Sequence, residues 1–459
     1  MRINPVIKKN PVGMLSPMEK KYFFWDISKG MAYGATYGDA HGFQNGYIYG
    51  YDVLFHPILR TWRKRPNRTT TASKFSSSLL DMYCTIDKTA LFAVGATTIE
   101  RSTDGSTWTA LSGSQPATLG GTSKGTFTEL LDNIIYCRPG YSPVQLSGGT
   151  WPNLTTKETI LTSNLSSGIC TTFENRNFIA GSTNPMLLYY SDAGTAVTNI
   201  LAQHVQVGET PITGIYKMGS QLIIMKKDSI WARMGSYSAL SGNQFIPVAG
   251  GLNTTVNCGI VANGVLYFSQ PDGIYTFDGG RVNCITANNF KTISFAGIQP
   301  RYWEAAGLVI FGSYCYDINS GIWSLSDFSG CYVTGLNSLF YGGSDTSLYT
   351  WGWDTSLPTT ADSSIILPFT DCGNPISDKY LSAIYYIGYG VGKVEAYGRY
   401  GLMNSHTTLT LPSTSFDGQG KCVCPPNTRF KEISLALFNT TNTYFSLKSI
   451  GIEYVEDPI

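Results

Sequence analysis

The chain has 459 residues and a formal net charge of +1, and 14 % of its residues are charged, against about 25 % in an average soluble domain. Aromatic residues make up 13 %, with 49 glycines and 29 tyrosines. This composition disfavours a helical protein and predicts many short strands joined by Gly, Asn, Asp and Ser turns. No stretch reaches the roughly 18 apolar residues of a membrane-spanning helix, and no apolar run follows the basic N-terminus. We therefore expect neither a membrane-spanning segment nor a secretory signal.

The first 75 residues form a Gly/Tyr-rich and basic segment without a clear strand period. Its stretch RTWRKRPNRTTTASK, 60–74, has six basic residues and no acidic one. Five of them are candidate contacts to DNA or a partner protein: Arg60, Arg63, Lys64, Arg65 and Arg68. Such residues can bind phosphates, but they also fit a solvated loop or an interface with a partner's acidic surface. We expect 1–75 to be an interface segment.

A repeat of 42 to 48 residues runs through the middle of the chain. Each copy has an apolar and aromatic strand close to an Asp/Gly turn, as in GIYTFDGG, 273–280. Successive copies lie 47, 43, 42, 44 and 48 residues apart, at Ile99, Leu146, Tyr189, Trp231, Tyr275 and Trp323. One four-stranded propeller blade has about this length. We predict an all-β fold in which 76–354 is a β-propeller of about six four-stranded blades. A series of β-sandwich strands with chance spacing is the alternative.

The stretch STDGSTW, 102–108, resembles the Asp-box of sialidase propellers, with one residue missing between Asp104 and Gly105. In that motif the Asp accepts hydrogen bonds from turn amides and the Trp packs between strands. We therefore expect Asp104 and Trp108 to stabilise a turn on the outer rim of a blade.

The repeat fades after residue 354. The next residues, DTSLPTTADSSIILPF at 354–369, are rich in Ser, Thr and Pro. Longer alternating segments follow at 379–401, 406–412 and 429–456. We predict that 355–459 is a linker followed by a C-terminal β-sandwich-like region.

The sequence offers little support for an enzyme. A glycosidase needs two carboxylates across one cleft, and the acidic candidates Asp228, Asp272, Glu304 and Asp317 fall mostly in predicted turns. The ten Cys are spread singly through apolar strands, apart from CVC at 422–424, which predicts buried free thiols. No Cys pair has zinc-ligand spacing. We predict no catalytic residue, no metal site and no cofactor.

Two stretches carry a resemblance to a known family: LIIMKKDSIWARMG, 222–235, and GGLNTTVNCGIVANGVLYFSQPDGIYTFDGGRVNCIT, 250–286. They resemble the propeller of tail nozzle proteins of short-tailed bacteriophages, also called tail tubular B or stabilisation-type proteins. The pairs that match the family pattern are Cys258-Gly259, Ile260-Val261, Tyr267-Phe268, Asp272-Gly273 and Asp278-Gly279. The segments at 379–398 and 428–456 also resemble that family's closing β region.

The resemblance implies a non-enzymatic virion component of the phage tail. Such a protein forms a homo-oligomeric ring, generally a hexamer, below the tail adaptor ring, with tail fibres or tailspikes as further possible partners. Double-stranded DNA passes through the ring without sequence-specific contacts, and loops can close the channel. The near-neutral charge is compatible with this role, because fixed cations would bind a sliding polyanion tightly.

Two other functions remain open from the sequence. A receptor- or carbohydrate-binding tail module predicts exposed aromatic residues on blade loops, for instance Trp351 and Trp353. A propeller glycosidase predicts that substitution of one acidic pair abolishes cleavage of a sugar. The sequence identifies no such pair.

Overall fold

A computed structural model gives the fold of this protein. It describes residues 20–31, 45–47, 49–51, 53–56, 61–64, 68–113, 124–159, 165–233, 244–286, 290, 293–326, 328, 331–336, 339–351, 363–367, 369–391, 393–399, 407–409, 416–424, 428–439 and 446–456. The chain divides into two compact units, one formed by 31–34 and 65–359 and the other by 1–30, 35–64 and 360–459.

The unit at 65–359 is a β-propeller whose described residues form seven four-stranded antiparallel sheets. The predicted fold class is confirmed, with seven blades in place of about six. Each blade is given from the axis outward: blade 1 contains Leu79–Cys84, Leu91–Gly95, Ile99–Ser102 and Thr109–Ala110; blade 2 contains Thr126–Leu130, Asn133–Arg138, Tyr141–Ser147 and Thr156–Thr159. Blade 3 contains Cys170–Phe173, Arg176–Ala180, Leu187–Tyr190 and His204–Gln206; blade 4 contains Ile212–Met218, Gln221–Lys226, Ser229–Arg233 and Phe245–Gly250; blade 5 contains Gly259–Ala262, Val265–Gln270, Gly273–Phe277 and Val282–Cys284. Blade 6 contains Arg301–Trp303, Leu308–Phe311, Tyr314–Asp317 and Ile322–Leu325; blade 7 contains Cys331–Thr334, Phe340–Ser344, Ser347–Trp351 and Arg68–Thr71.

The ring is closed by a strand that precedes blade 1 in the sequence. Arg68–Thr71 is the outermost strand of blade 7 and pairs antiparallel with Ser347–Trp351. Blade 7 is therefore built from both ends of the propeller segment. This long-range pairing ties the last blade to the first, because Phe75 follows the closing strand and packs with the side chains of blades 7 and 1.

The second strand of each blade supplies the core on both of its faces. In blade 4, Leu222 and Ile224 pack with the buried side chains of blade 3, whereas Ile223 and Met225 pack with those of blade 5. Successive side chains of a strand point to opposite faces of its sheet. A continuous apolar strand therefore seals two neighbouring blade interfaces at once, which explains runs such as QLIIMK, 221–226.

The repeat positions of the sequence fall on equivalent strands in the first five blades only. Ile99, Leu146, Tyr189, Trp231 and Tyr275 all lie in the third strand of their blades. Trp323 instead lies in the fourth strand of blade 6. The cause is a tight turn at Gly312, with φ of 64°, which separates Leu308–Phe311 from Tyr314–Asp317 so closely that the two strands resemble one in the sequence.

The second unit contains two sheets that combine strands from both ends of the chain. An eight-stranded sheet has the order Asn45–Tyr47, Lys20–Met31, Ser446–Glu456, Lys379–Val391 and Phe416–Val423, with Arg429–Phe430 beside Lys379–Val391 and the hairpin Val53–His56 and Thr61–Lys64 beside Ser446–Glu456. A five-stranded sheet has the order Tyr49–Tyr51, Ser363–Ile366, Glu432–Asn439, Lys393–Arg399 and Thr407–Leu409. The segment predicted at 379–401 contributes one strand to each sheet, and the segment predicted at 429–456 contributes two strands to the eight-stranded sheet and one to the five-stranded sheet. In contrast to the predicted division at residue 75, strands before residue 65 share these sheets with 363–456.

Candidate functional site

The propeller has a partly open cavity of about 570 Å³ on its axis. The innermost strands of blades 1 to 6 and the loops next to them line it. Its volume falls in the range of small-molecule sites, about 300 to 1,000 Å³. The lining side chains are mainly apolar or aromatic, with three cations (Lys88, Lys217, Arg301) and two carboxylates (Asp81, Glu304).

An ion pair connects blades 1 and 6 across this cavity. The Nη2 atom of Arg301 lies 3.2 Å from Oδ1 of Asp81, whose side chain is 2 % exposed. Asp81 also accepts hydrogen bonds from the backbone N–H groups of Met82 at 2.9 Å and Gly125 at 3.0 Å. The buried carboxylate is thus well satisfied by the backbone, as a buried charge requires. Arg301 is less well satisfied, because its buried Nε has no hydrogen-bond acceptor among the described residues.

A second ion pair joins the same two blades at the edge of the cavity. Lys88, in the loop after the first strand of blade 1, pairs with Glu304 of blade 6, and both side chains are about half exposed. Lys217 of blade 4 is exposed as well. Screened pairs of this kind contribute little stability, so these side chains remain able to respond to a charged ligand.

Tyr216 is held in the cavity wall by two glycines. A Cβ at Gly214 would lie 2.5 Å from the Tyr216 hydroxyl, and one at Gly259 would lie 2.8 Å from it. The Gly259 N–H donates to the hydroxyl at 3.0 Å. Burial raises the pKa of Tyr216 well above its usual value, so the hydroxyl keeps its proton and can donate a hydrogen bond.

An aromatic stack forms another part of the wall. The rings of Tyr83 and Phe127 are stacked at 4.8 Å, and Phe127 lies 4.4 Å from the ring of Tyr136. The Tyr83 hydroxyl donates to Glu129 at 3.0 Å. Burial raises the pKa of Glu129, while hydrogen bonds from Ile86 and Tyr83 oppose that rise. Blades 1 and 2 therefore present a flat apolar surface to the cavity.

The five basic residues predicted as contacts do not all belong to one strand or one unit. Arg63 and Lys64 lie in the strand Thr61–Lys64, which pairs with Val53–His56. Arg68 begins the closing strand of blade 7, opposite Trp351. Arg60 and Arg65 lie outside the described residues. Their role as contacts stays a prediction.

The Asp104 turn has the role expected from the sequence. Asp104 accepts hydrogen bonds from the backbone N–H groups of Ser106 at 2.7 Å and Thr107 at 2.6 Å, and these bonds lower its pKa. The Trp108 ring packs edge-on against Phe75 at 5.0 Å. The turn connects the third and fourth strands of blade 1, so the prediction of a structural turn on the rim is confirmed.

The four acidic candidates for sugar cleavage are placed apart by the fold. Asp317 accepts hydrogen bonds from the N–H groups of the turn at 319–320. Asp228 accepts from Thr210 and Ser229, and Asp272 accepts from Tyr275. Only Glu304 lines the axial cavity. Turn formation accounts for the three aspartates.

The tryptophans and cysteines singled out in the sequence differ little in burial, since most of the described ones lie inside the protein. Trp351 is fully buried in blade 7, and Trp353 lies outside the described residues. Seven of the nine described cysteines are buried and the other two, Cys284 and Cys372, are partly buried, which confirms burial for most of them.

In the parts of the chain that are described, no group of three or more His, Cys, Asp and Glu side chains could hold a metal ion. None of the described helical segments is long and apolar enough to cross a membrane.

Sequence reasoning missed Asp81, Arg301 and Tyr216, which contribute most of the polar chemistry of the cavity. Asp81 had a local signal, because a carboxylate interrupts the apolar strand LLDMYC, 79–84. Arg301 and Tyr216 have no such signal in the local sequence, because they come from blades far apart in the sequence that meet at the axis.

Comparisons with known proteins identify no family. No family model matches this chain, and no curated protein does. Among solved structures, it is similar to YCF48 bound to D1 peptide (13 % identity, covering 64 % of this chain and 100 % of that chain, TM-score 0.39) and to the WD40 β-propeller domain of Doa1 (10 % identity, 63 % and 97 %, TM-score 0.43). It is also similar to a catalytically inactive virginiamycin B lyase from Staphylococcus aureus with quinupristin (9 % identity, 62 % and 99 %, TM-score 0.42). With TM-scores below 0.5, these similarities transfer no function to this chain.

Proposed function

We propose that this protein is a non-enzymatic structural subunit of the tail nozzle ring of a short-tailed bacteriophage, and that the ring forms part of the DNA ejection channel. The observation that carries the proposal is the family motif at 258–279. Each of its pairs occupies a defined strand or turn position in or beside blade 5.

The motif residues build the scaffold of the blade. Cys258 is fully buried in the core between blades 4 and 5. Gly259 leaves space for Tyr216, and Asp278 accepts hydrogen bonds from the N–H groups of Gly280 at 2.9 Å and Arg281 at 2.8 Å. A motif that specifies packing and turns suits a protein whose role is to form a stiff wall.

A surface suited to assembly supports the ring. The eight-stranded sheet has one face on which four large apolar side chains are between 43 % and 66 % exposed: Tyr22, Phe24, Ile387 and Val423. The register places Tyr22 and Val423 in one row across the sheet, through Glu453 and Ala383. The charged side chains of Lys20, Glu453 and Lys421 lie on the same face of the sheet. We call the four apolar side chains the exposed apolar face. Exposed apolar groups bordered by polar ones favour contact with another protein, here a neighbouring subunit.

In this proposal the DNA follows the axis of the assembled ring and not the axis of the propeller. The propeller cavity has only the volume of a small-molecule site, and the Asp81–Arg301 ion pair crosses it. A net charge of +1 over the whole chain leaves little general attraction for phosphates, which suits a channel through which DNA must slide.

Mass photometry of the purified protein, alone and mixed with the phage adaptor ring, tests the proposal. We expect discrete rings of about six copies. A strict monomer that ignores the adaptor ring and binds cell-surface glycans would refute the proposal and favour the receptor- or carbohydrate-binding module.

A matched pair of variants tests the exposed apolar face separately. Val423→Lys replaces one of the four apolar side chains of the face with a charged one, and Ile376→Lys makes the same kind of change at a residue that is 71 % exposed and outside the face. We expect Val423→Lys to prevent ring formation and Ile376→Lys to preserve it. Rings that form equally with both variants would exclude this face as the subunit contact while leaving the nozzle function intact.

A further inference from the structure

Two side chains that line the axial cavity carry hydrogen-bond donors, Arg301 and Tyr216. The guanidinium of Arg301 is 21 % exposed and donates from Nη2 to Asp81. Its Nε is sealed from solvent, so a ligand in the cavity meets the exposed part of the guanidinium. The Tyr216 hydroxyl accepts from Gly259, and its own proton has no acceptor within the described part of the chain. A largely buried cation beside a hydroxyl donor favours an anionic partner.

The charged side chains of the lining also favour an anionic ligand. Three cations and two carboxylates line the cavity. Asp81 pairs with Arg301, and Glu304 pairs with Lys88. Lys88 and Lys217 lie at exposed positions of the lining. The three cations and two carboxylates of the lining leave a net charge of +1, a small excess that favours anions.

The remaining wall is apolar. Phe127, Ile215, Val261 and Pro300 line the cavity between the polar groups, and the stacked rings of Tyr83 and Phe127 give it a flat side. An inorganic ion would leave this surface without a partner. A ligand with an apolar body and one anionic end would use both kinds of wall.

We propose that the axial cavity of the propeller binds a small carboxylate with an apolar or aromatic body, its carboxylate accepting hydrogen bonds from Arg301 and Tyr216. This site is separate from the nozzle function and does not depend on it. Asp81 fixes the guanidinium, while Gly214 and Gly259 fix the phenol, so both donors are positioned before the ligand arrives.

Ligand-observed fluorine NMR on the intact protein tests the site, with 4-fluorobenzoate as the probe and 4-fluorobenzyl alcohol as its neutral analogue. We expect the carboxylate to bind at least about tenfold more tightly than the alcohol, the minimum for a charge-assisted hydrogen bond. Arg301→Met should weaken binding by at least about tenfold. Asp81 keeps two backbone donors in that variant, so the fold should survive.

Two further variants complete the design. Tyr216→Phe keeps the ring and removes the hydroxyl, and it should weaken carboxylate binding several-fold without changing that of the alcohol. Arg281→Met removes an exposed arginine outside the cavity and should have no effect. If 4-fluorobenzoate does not bind up to millimolar concentration, or binds no better than the alcohol, the proposal is wrong. Binding that survives in Arg301→Met overturns it too, and if that variant does not fold, Tyr216→Phe decides alone.

Discussion

Glu453 gives the sharpest test of the electrostatics in the eight-stranded sheet. It is 2 % exposed and lies 2.7 Å from Nζ of Lys20 and 3.0 Å from Nζ of Lys421, with a further hydrogen bond from Tyr385. Burial alone would raise the pKa of this carboxyl. The three donors outweigh burial and lower the pKa from 4.5 to about 2.

This shift sets the size and the pH dependence of the stabilisation. A fall from 4.5 to about 2 corresponds to a ceiling of about 3.5 kcal/mol, at about 1.4 kcal/mol per pKa unit. Lys20 and Lys421 are 58 % and 41 % exposed, so solvent screening reduces the expected value to about 1–2 kcal/mol. Because the folded-state pKa is below the unfolded one, the stabilisation is complete above about pH 5. It is lost as the pH falls towards 2, with more than half gone at about pH 3.

Hydrogen exchange of Ser446–Glu456, corrected for intrinsic exchange rates, measures this effect locally. We expect Glu453→Gln to lower the opening free energy of this strand by about 1–2 kcal/mol at pH 7 and by less than half of that at pH 3. Glu456→Gln, in the same strand and paired with Lys21, should change it by less than about 0.5 kcal/mol. Equal effects of the two substitutions, or a Glu453→Gln effect that does not vary with pH, would refute the reasoning.

Two core substitutions test the packing of the propeller. Gly259→Ala should lower the free energy of unfolding by about 1–3 kcal/mol, because its Cβ would meet the Tyr216 hydroxyl at 2.8 Å. Gly250→Ala, whose Cβ would have no atom within 4 Å, should lower it little. Equal urea midpoints for the two variants would contradict this prediction. Phe75→Ala should lower the free energy of unfolding, measured by thermal denaturation, by about 3–5 kcal/mol. The reason is that Phe75 is 5 % exposed in the core shared by blades 7 and 1. Leu201→Ala, at a residue that is 46 % exposed, should change the free energy of unfolding by less than about 0.5 kcal/mol. A similar loss of stability in both variants would exclude a core role for Phe75.

The propeller can be predicted from the sequence because the repeat length is set by the local geometry of each blade. Each blade is a run of antiparallel strands joined by short turns, so its length and turn residues appear in the sequence in order. The period fails where the local signal is ambiguous, as at Gly312, and where pairing is distant, as at Arg68–Thr71. The seventh blade needs that distant strand, and an interval between neighbouring repeats contains no information about it.

The candidate site is less predictable than the fold for a related reason. The turn role of Asp104 can be predicted, because its hydrogen-bond partners are two and three residues away. Arg301 and Asp81 are 220 residues apart and meet only after the ring has closed. Local pattern therefore identifies the residues that build a blade, but not those that distant blades bring together on the axis.

The path of the chain has a consequence for how the protein must be made and tested. The closing strand Arg68–Thr71 precedes blade 1, and strands from 20 to 64 pair within the same sheets as strands from 363 to 456. A fragment that begins at residue 76 would lack the outermost strand of blade 7 and leave Ser347–Trp351 as an unpaired edge, which exposes backbone donors and acceptors to other chains. A fragment that ends near residue 354 would remove Ser446–Glu456, the partner of Lys20–Met31. The propeller is thus an insertion between two segments that complete each other's sheets, and assembly and ligand binding should be measured on the full chain.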